Sequence, residues 1–301
     1  MVYAQLLFPD FSLILCGYLV CRYTALNRSL WTQVDALVYY LLFPVLLFHA
    51  IIRNPLDLQA ASSLITAGVS LGLLGIALSF SLPHWPLLRG YIAIRTHAPA
   101  AQVAFRFNSF IALALADRLG GPGGLQLMAV LGGFCVPMFN VAAVWAMARH
   151  GERGFLRELL RNPLVVATLS ALGANLAGLS LPAWLEPSFS RIGGASLALG
   201  LMAAGAGMQF GTLVRAKALA VALLSIRHLI LPLMAFGLVR LFQLAPGQAL
   251  VLMIFSAAPT ASSAYVLAAR MGYDGSLVAA LVTLSTLLGM VSLPLALGLL
   301  S

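Results

Sequence analysis

Charge is what this sequence has least of. Among 301 residues only 8% are Asp, Glu, Lys or Arg, against roughly 25% in an ordinary soluble domain. So few charges cannot cover a water-exposed surface, and with 61% hydrophobic residues and a mean hydropathy of +1.00 most of the outer surface must face lipid. Acidic residues number eight, and no two carboxylates fall together at mid-membrane depth, which argues against an antiporter built on an acidic dyad. The three cysteines, Cys16, Cys21 and Cys135, lie in apolar stretches without metal-ligand spacing, so neither a disulfide framework nor a zinc site is expected. Long polar segments are also missing. At about 20 apolar residues per crossing, the length leaves room for about ten spans and for no soluble catalytic, nucleotide-binding or nucleic-acid-binding domain.

What is present is a series of apolar runs bounded by Pro, Gly and charge. They predict spans near 3–21, 31–52, 60–82, 99–118, 124–148, 162–181, 187–209, 216–241, 247–269 and 276–300. The first is read as a retained span, because Met1 to Gln5 carry no basic residue and Arg22 follows the apolar stretch. A net charge of +9 would suggest nucleic acid in a soluble chain; here alternate connections explain it. One set holds eleven Lys and Arg, including Arg22, Arg28, Arg89, Arg95, Arg149 to Arg161, Lys217 and Arg270, whereas the other holds only Arg53, Arg118, Arg191 and Arg240. The richer set is expected on the cytoplasmic side of the cell (inner or plasma) membrane, with both termini outside.

The longest polar stretch, residues 151–161, divides five spans from five and predicts a cytoplasmic linker between units 1–150 and 162–301. An offset of 152 residues aligns Ala114–Leu125 with Val266–Leu277, matching Leu115/Leu267, Ala116/Ala268, Arg118/Arg270, Gly120/Gly272, Gly123/Gly275 and Leu125/Leu277. A repeat of an odd number of spans must be inverted. Under that offset Asn108 stands opposite Thr260 and Phe107 opposite Pro259. Pro259 lacks an N–H and clashes with the preceding turn, so the ninth span is expected to break there. Freed backbone groups at that depth must line a cavity or be buried in protein. Two broken spans meeting there would bring positive helix ends together and attract an anion, with Asn108, Ser109, Thr260, Ser262 and Ser263 as hydrogen-bonding groups and Phe43 as a wall.

Arg227 lies about 16 Å along the eighth span at 1.5 Å per residue, too deep to snorkel easily. A charge there costs about 2.5 to 3.5 kcal/mol on insertion scales. It either balances an anionic substrate or pairs with carbonyls of the broken segments. Arg106, about seven residues into the fourth span, reads instead as a side chain reaching the cytoplasmic interface, and His228 and His49 as hydrogen-bonded interior histidines.

At these residues the sequence resembles the auxin efflux carrier family, which includes plant PIN-type auxin exporters and bacterial malate or malonate permease-like proteins. The resembling pieces are Leu41–His49, Phe107-Asn108-Ser109 with the following glycine turn, Asn162-Pro163-Leu164, Ile192–Leu199 and Ala258–Tyr265, and they extend over essentially the whole chain. The resemblance implies an all-α membrane protein of ten transmembrane helices in two inverted five-helix repeats with broken crossover helices 4 and 9, the architecture of sodium/bile-acid symporters and NhaA-like antiporters. It implies a scaffold of helices 1, 2, 6 and 7, a transport domain of helices 3–5 and 8–10, an elevator-type mechanism and a homodimer through the scaffold. Asn108 then matches the crossover asparagine that helps hold the substrate carboxylate, and Pro259 the crossover proline. Two departures stand out: no proline adjoins Asn108, which predicts a shallower break in the fourth span, and the long cytoplasmic loop of plant exporters is absent.

The leading expectation is a secondary transporter exporting a small organic anion, auxin-like or dicarboxylate-like, with membrane lipid and a second copy as partners and with no cofactor, metal or nucleic acid. An intramembrane enzyme would need a nucleophile with a base, or metal ligands, inside the spans; no His-Glu-x-x-His and no interior Glu is present. A non-transporting receptor on the same scaffold is the other alternative.

Overall fold

The computed structural model describes residues 2–52, 58–86, 88, 90–147, 163–208, 217–261, 263–273 and 275–300. The expected linker 151–161 and Ser262 lie outside the described residues. Within them every regular element is a helix.

In chain order these are α1 (Val2–Tyr23), α2 (Arg28–Leu37) and α3 (Phe43–Ile52) joined by a π-helical turn, α4 (Leu58–Ser81), α5 (Ile94–Ala100), α6 (Gln102–Phe105) and α7 (Ser109–Met147). Then follow α8 (Pro163–Leu176), α9 (Glu186–Ala206), α10 (Lys217–Ser225) and α11 (Leu231–Leu241) joined by a second π-helical turn, α12 (Pro246–Ala257), α13 (Ser263–Arg270) and α14 (Gly275–Gly298). Six helical stretches among the described residues are long and apolar enough to cross a membrane: Arg28–Ile52, Ala61–His84, Ser109–Met147, Glu186–Ala206, Lys217–Leu241 and Gly275–Gly298. The chain is an integral membrane protein.

Several expected spans differ in form from simple rods, each for a local reason. Helix α7 has 39 residues, about 58 Å if straight, nearly twice a bilayer's hydrocarbon core. It is not straight. Gly121 takes φ 60°, ψ −158°, a conformation only glycine adopts without strain. Beyond it, a Cβ on Gly124 would lie 2.5 Å from the Ala116 carbonyl oxygen, although eight residues of straight helix would separate them by about 12 Å. The chain therefore reverses at Gly121, and the two limbs correspond to the expected fourth and fifth spans. The expected span 247–269 is likewise two helices, α12 and α13, separated around Pro259.

Small residues set the closest packing. At Gly17 an added Cβ would fall 1.9 Å from the Met202 carbonyl oxygen, and at Gly205 it would fall 1.7 Å from that of Ile14. Thus α1 and α9 meet backbone to backbone, as small-residue membrane interfaces allow. In the same way Gly200 leaves a notch for the ring of Phe110, and Gly289 on α14 leaves one for the ring of Pro259.

Candidate functional site

Two interruptions face each other. The first follows α6, where Arg106 leaves the helix at φ −78°, ψ 134° while its N–H still bonds the Gln102 carbonyl at 2.9 Å. Phe107 is extended and pairs with Thr260 in an isolated antiparallel bridge. Asn108 then donates its backbone N–H to the Pro259 carbonyl at 2.7 Å. The helix restarts because Asn108 caps it: Oδ1 accepts from the N–H groups of Phe110 at 3.0 Å and Ile111 at 3.2 Å, satisfying donors that the first turn leaves orphaned. Both bonds use Oδ1, which leaves the Nδ2 amide of this 2%-exposed residue outside the cap. The break spans three residues, so a proline beside Asn108 is not needed to make it.

The second interruption follows α12. Ala258 is extended at φ −57°, ψ 141°, Pro259 continues, and α13 begins at Ser263. Thr260 is fixed on both sides, its N–H donating to Ser285 Oγ at 2.9 Å and its Oγ1 to the Val103 carbonyl at 2.7 Å. Ser285 also shares a 2.8 Å hydrogen bond with His228 Nε2, and His228 Nδ1 shares one of 2.7 Å with Ser292 Oγ. His228 is therefore a hydrogen-bonded interior histidine.

Arg227 sits behind this break on the π-helical turn Ile226–Ile230 and is 1% exposed. Its Nε donates to the Ala258 carbonyl at 2.7 Å, and its Nη2 donates to the carbonyls of Phe255, at 2.9 Å, and Ala258. Of the two roles open to it from sequence, the geometry has carbonyl pairing: the guanidinium occupies the negative C-terminal end of α12 and takes up the carbonyls that Pro259 frees. Through Nε and Nη2 the cation is held on that end of the helix.

The remaining sequence-selected residues fall around the crossing. Pro259 and Thr260 form one of its strands. Ser109 opens α7 and lines a cavity walled by Phe43, Leu47, Phe107, Leu113 and Val136. It holds about 370 Å³ of empty space including its mouth and is lined almost wholly by apolar side chains. Phe43 packs edge-on against Phe110, ring centroids 4.6 Å apart. Ser263 is exposed and accepts a hydrogen bond from Arg106 Nη2 at 3.0 Å.

That last contact corrects the reading of Arg106. Its side chain does not run to the interface; it turns along the break, donating also to Gln102 Oε1 at 2.7 Å. Counted along an assumed helix it lies about half a turn from Asn108, on the opposite side, whereas the extended backbone puts it on the crossing itself. Sequence reasoning also missed Ser285, whose position on α14 carries no local signal. One motif suggests chemistry and supplies none: Gly68-Val69-Ser70-Leu71-Gly72 has the spacing of a nucleophile elbow, but it lies inside α4, not at a strand-to-helix turn, and Gly68 and Gly72 contact Leu131 and Phe139.

A family model described as membrane transport protein matches residues 99–297, a stretch that contains both interruptions. A protein of Methanothermobacter thermautotrophicus (strain Delta H) described as an uncharacterized transporter is 25% identical over 287 residues, covering 94% of this chain and 93% of its own length.

Proposed function

Because the chain belongs to the membrane transport protein family, of the auxin-efflux-carrier type, we propose that it is a secondary transporter of a small organic anion. The substrate carboxylate binds at the crossing of residues 106–108 with 258–261. The observation that carries this reading is the Nδ2 of Asn108, left outside the cap and held at the start of α7 where the positive helix end also favours negative charge. Asn108, Ser109, Thr260, Ser262 and Ser263 form the polar part of the site, Pro259 shapes it and Phe43 walls it. Arg227 belongs to the same site as its brace.

The architecture that goes with this function is ten helices in two inverted repeats, 1–150 and 162–301, joined by 151–161. Helices 1, 2, 6 and 7 form a scaffold, through which two copies pair, in a cell membrane with both termini outside. Helices 3–5 and 8–10 carry the crossing across the bilayer as one body, in the export direction. Both broken segments lie within the six helices assigned to the moving body, and Phe110 in the notch of Gly200 is a contact across its boundary with the scaffold.

Purified protein in liposomes is expected to move radiolabelled benzoate, indole-3-acetate or malonate down a gradient. Folded protein that neither binds nor moves any of the three would remove the organic-anion reading. Binding without counterflow would favour a receptor.

A further inference from the structure

Arg106 and Arg227 are the two arginines near the crossing, and their surroundings differ in kind. Arg227 is fully buried with its donors on backbone carbonyls. Arg106 is half-buried and uses two of its five N–H donors, on Gln102 Oε1 and Ser263 Oγ. No carboxylate among the described residues pairs with it; the phenol of Tyr39, on the π-helical turn between α2 and α3, lies within electrostatic reach.

Backbone geometry decides where this charge points. Arg106 and Phe107 are extended, so side chains alternate in direction and residues two apart share a face. Phe107 turns into the aromatic group of Phe139 and Phe255, with ring centroids 6.3 and 4.7 Å away. Arg106 and Asn108 are therefore on the opposite face, the first with donors outside its two bonds and the hydroxyl of Ser263 beside it, the second with Nδ2 outside the cap. A monodentate anion is served by one such donor. A planar carboxylate presents two oxygens, and a guanidinium fork next to an amide N–H meets both.

We infer that Arg106 is the charge-recognising residue of the site, gripping the substrate carboxylate together with Asn108 Nδ2, while Arg227 only holds the site's shape. This rests on the organic-anion reading given above. It assigns selection for a negative head to a residue at the junction with the second span, so that the bound anion itself bridges the crossing and the Tyr39 turn.

The test is titration of monodisperse, detergent-purified protein with benzoate and malonate. Arg106→Gln is expected to weaken both by about tenfold or more, the measure of one hydrogen bond to a charged group, and Arg106→Lys, which keeps the charge without the fork, to recover part of the loss. On the unaltered protein, phenylglyoxal is expected to modify Arg106 and saturating benzoate to suppress that modification, read by mass spectrometry; this arm stands even where Arg106→Gln does not fold. Undiminished binding by Arg106→Gln, equal loss in Arg106→Gln and Arg106→Lys, or modification of Arg106 unaffected by benzoate would overturn the assignment. Unaltered protein that binds neither anion would overturn the organic-anion reading together with it.

Discussion

The two interruptions solve one problem in opposite ways. At 106–108 no proline is needed: the Asn108 side chain caps the helix that follows, its N–H bonds the Pro259 carbonyl, and the Val103 carbonyl is taken up by Thr260 Oγ1 alone. At 258–261 a proline forces the break, and the freed groups are met from outside, by Arg227 on the carbonyl side and Ser285 on the N–H side. A self-capped break leaves neighbouring side chains unengaged, whereas an externally braced one uses its neighbours up. That is why the donors available to a ligand cluster on the first segment although both segments build the crossing.

Removing the outer brace should produce the largest change. Arg227→Met nearly keeps volume but strands two buried carbonyls at about 1 to 3 kcal/mol each. Thermal unfolding in detergent should register a loss of about 2 to 6 kcal/mol, with Arg227→Lys intermediate. Ser285→Ala is next: it orphans the buried Thr260 N–H and one nitrogen of the only partly buried His228, and should destabilise by about 1 to 3 kcal/mol, the measure of the one fully buried group, weakening benzoate only through that loosening. Then comes Asn108→Asp. Asp caps a helix about as well as Asn, and the positive start of α7 offsets part of the roughly 2.5 to 3.5 kcal/mol that a charge costs at this depth. The unfolding midpoint should therefore fall less than in Arg227→Met, while the Nδ2 donor becomes an anionic oxygen and benzoate binding should disappear. If Asn108→Asp unfolded the protein as readily as Arg227→Met, the distinction between a self-capped and a braced break would collapse. Asn108→Ala sharpens it from the other direction, costing about 1 kcal/mol of cap as well as the binding.

The parts of the site that sequence disclosed were those with a local cause. Pro259 announces its own break, and the 152-residue offset put Asn108 and Phe107 opposite Thr260 and Pro259; in space Phe107 bridges Thr260 and the Asn108 N–H bonds Pro259. The turn between the fourth and fifth spans was visible as a glycine cluster, though the residue that turns is Gly121, while in the second half it is Gly272, a register shift of one that the alignment of Gly120 with Gly272 conceals. What sequence could not disclose depended on tertiary neighbours. Arg106 looked like an interfacial side chain because depth was counted along a continuous helix, and an extended residue cancels that count. Ser285 had no reason to stand out from other hydroxyls on an apolar helix until the fold set it against Thr260. For the same reason ten apolar runs are easier to read than the helices they become: six long stretches among the described residues, with the others shortened, broken or folded back.

The seam between Gly17 and Gly205 has a mechanical consequence. Where carbonyl oxygens of one helix press on the α-carbons of another with no side chains between, there is nothing to act as a lubricant, and the pair resists sliding by even a fraction of a turn. Helices α1 and α9 behave as a single plank, so any displacement in the working molecule must be taken up along other, greasier surfaces.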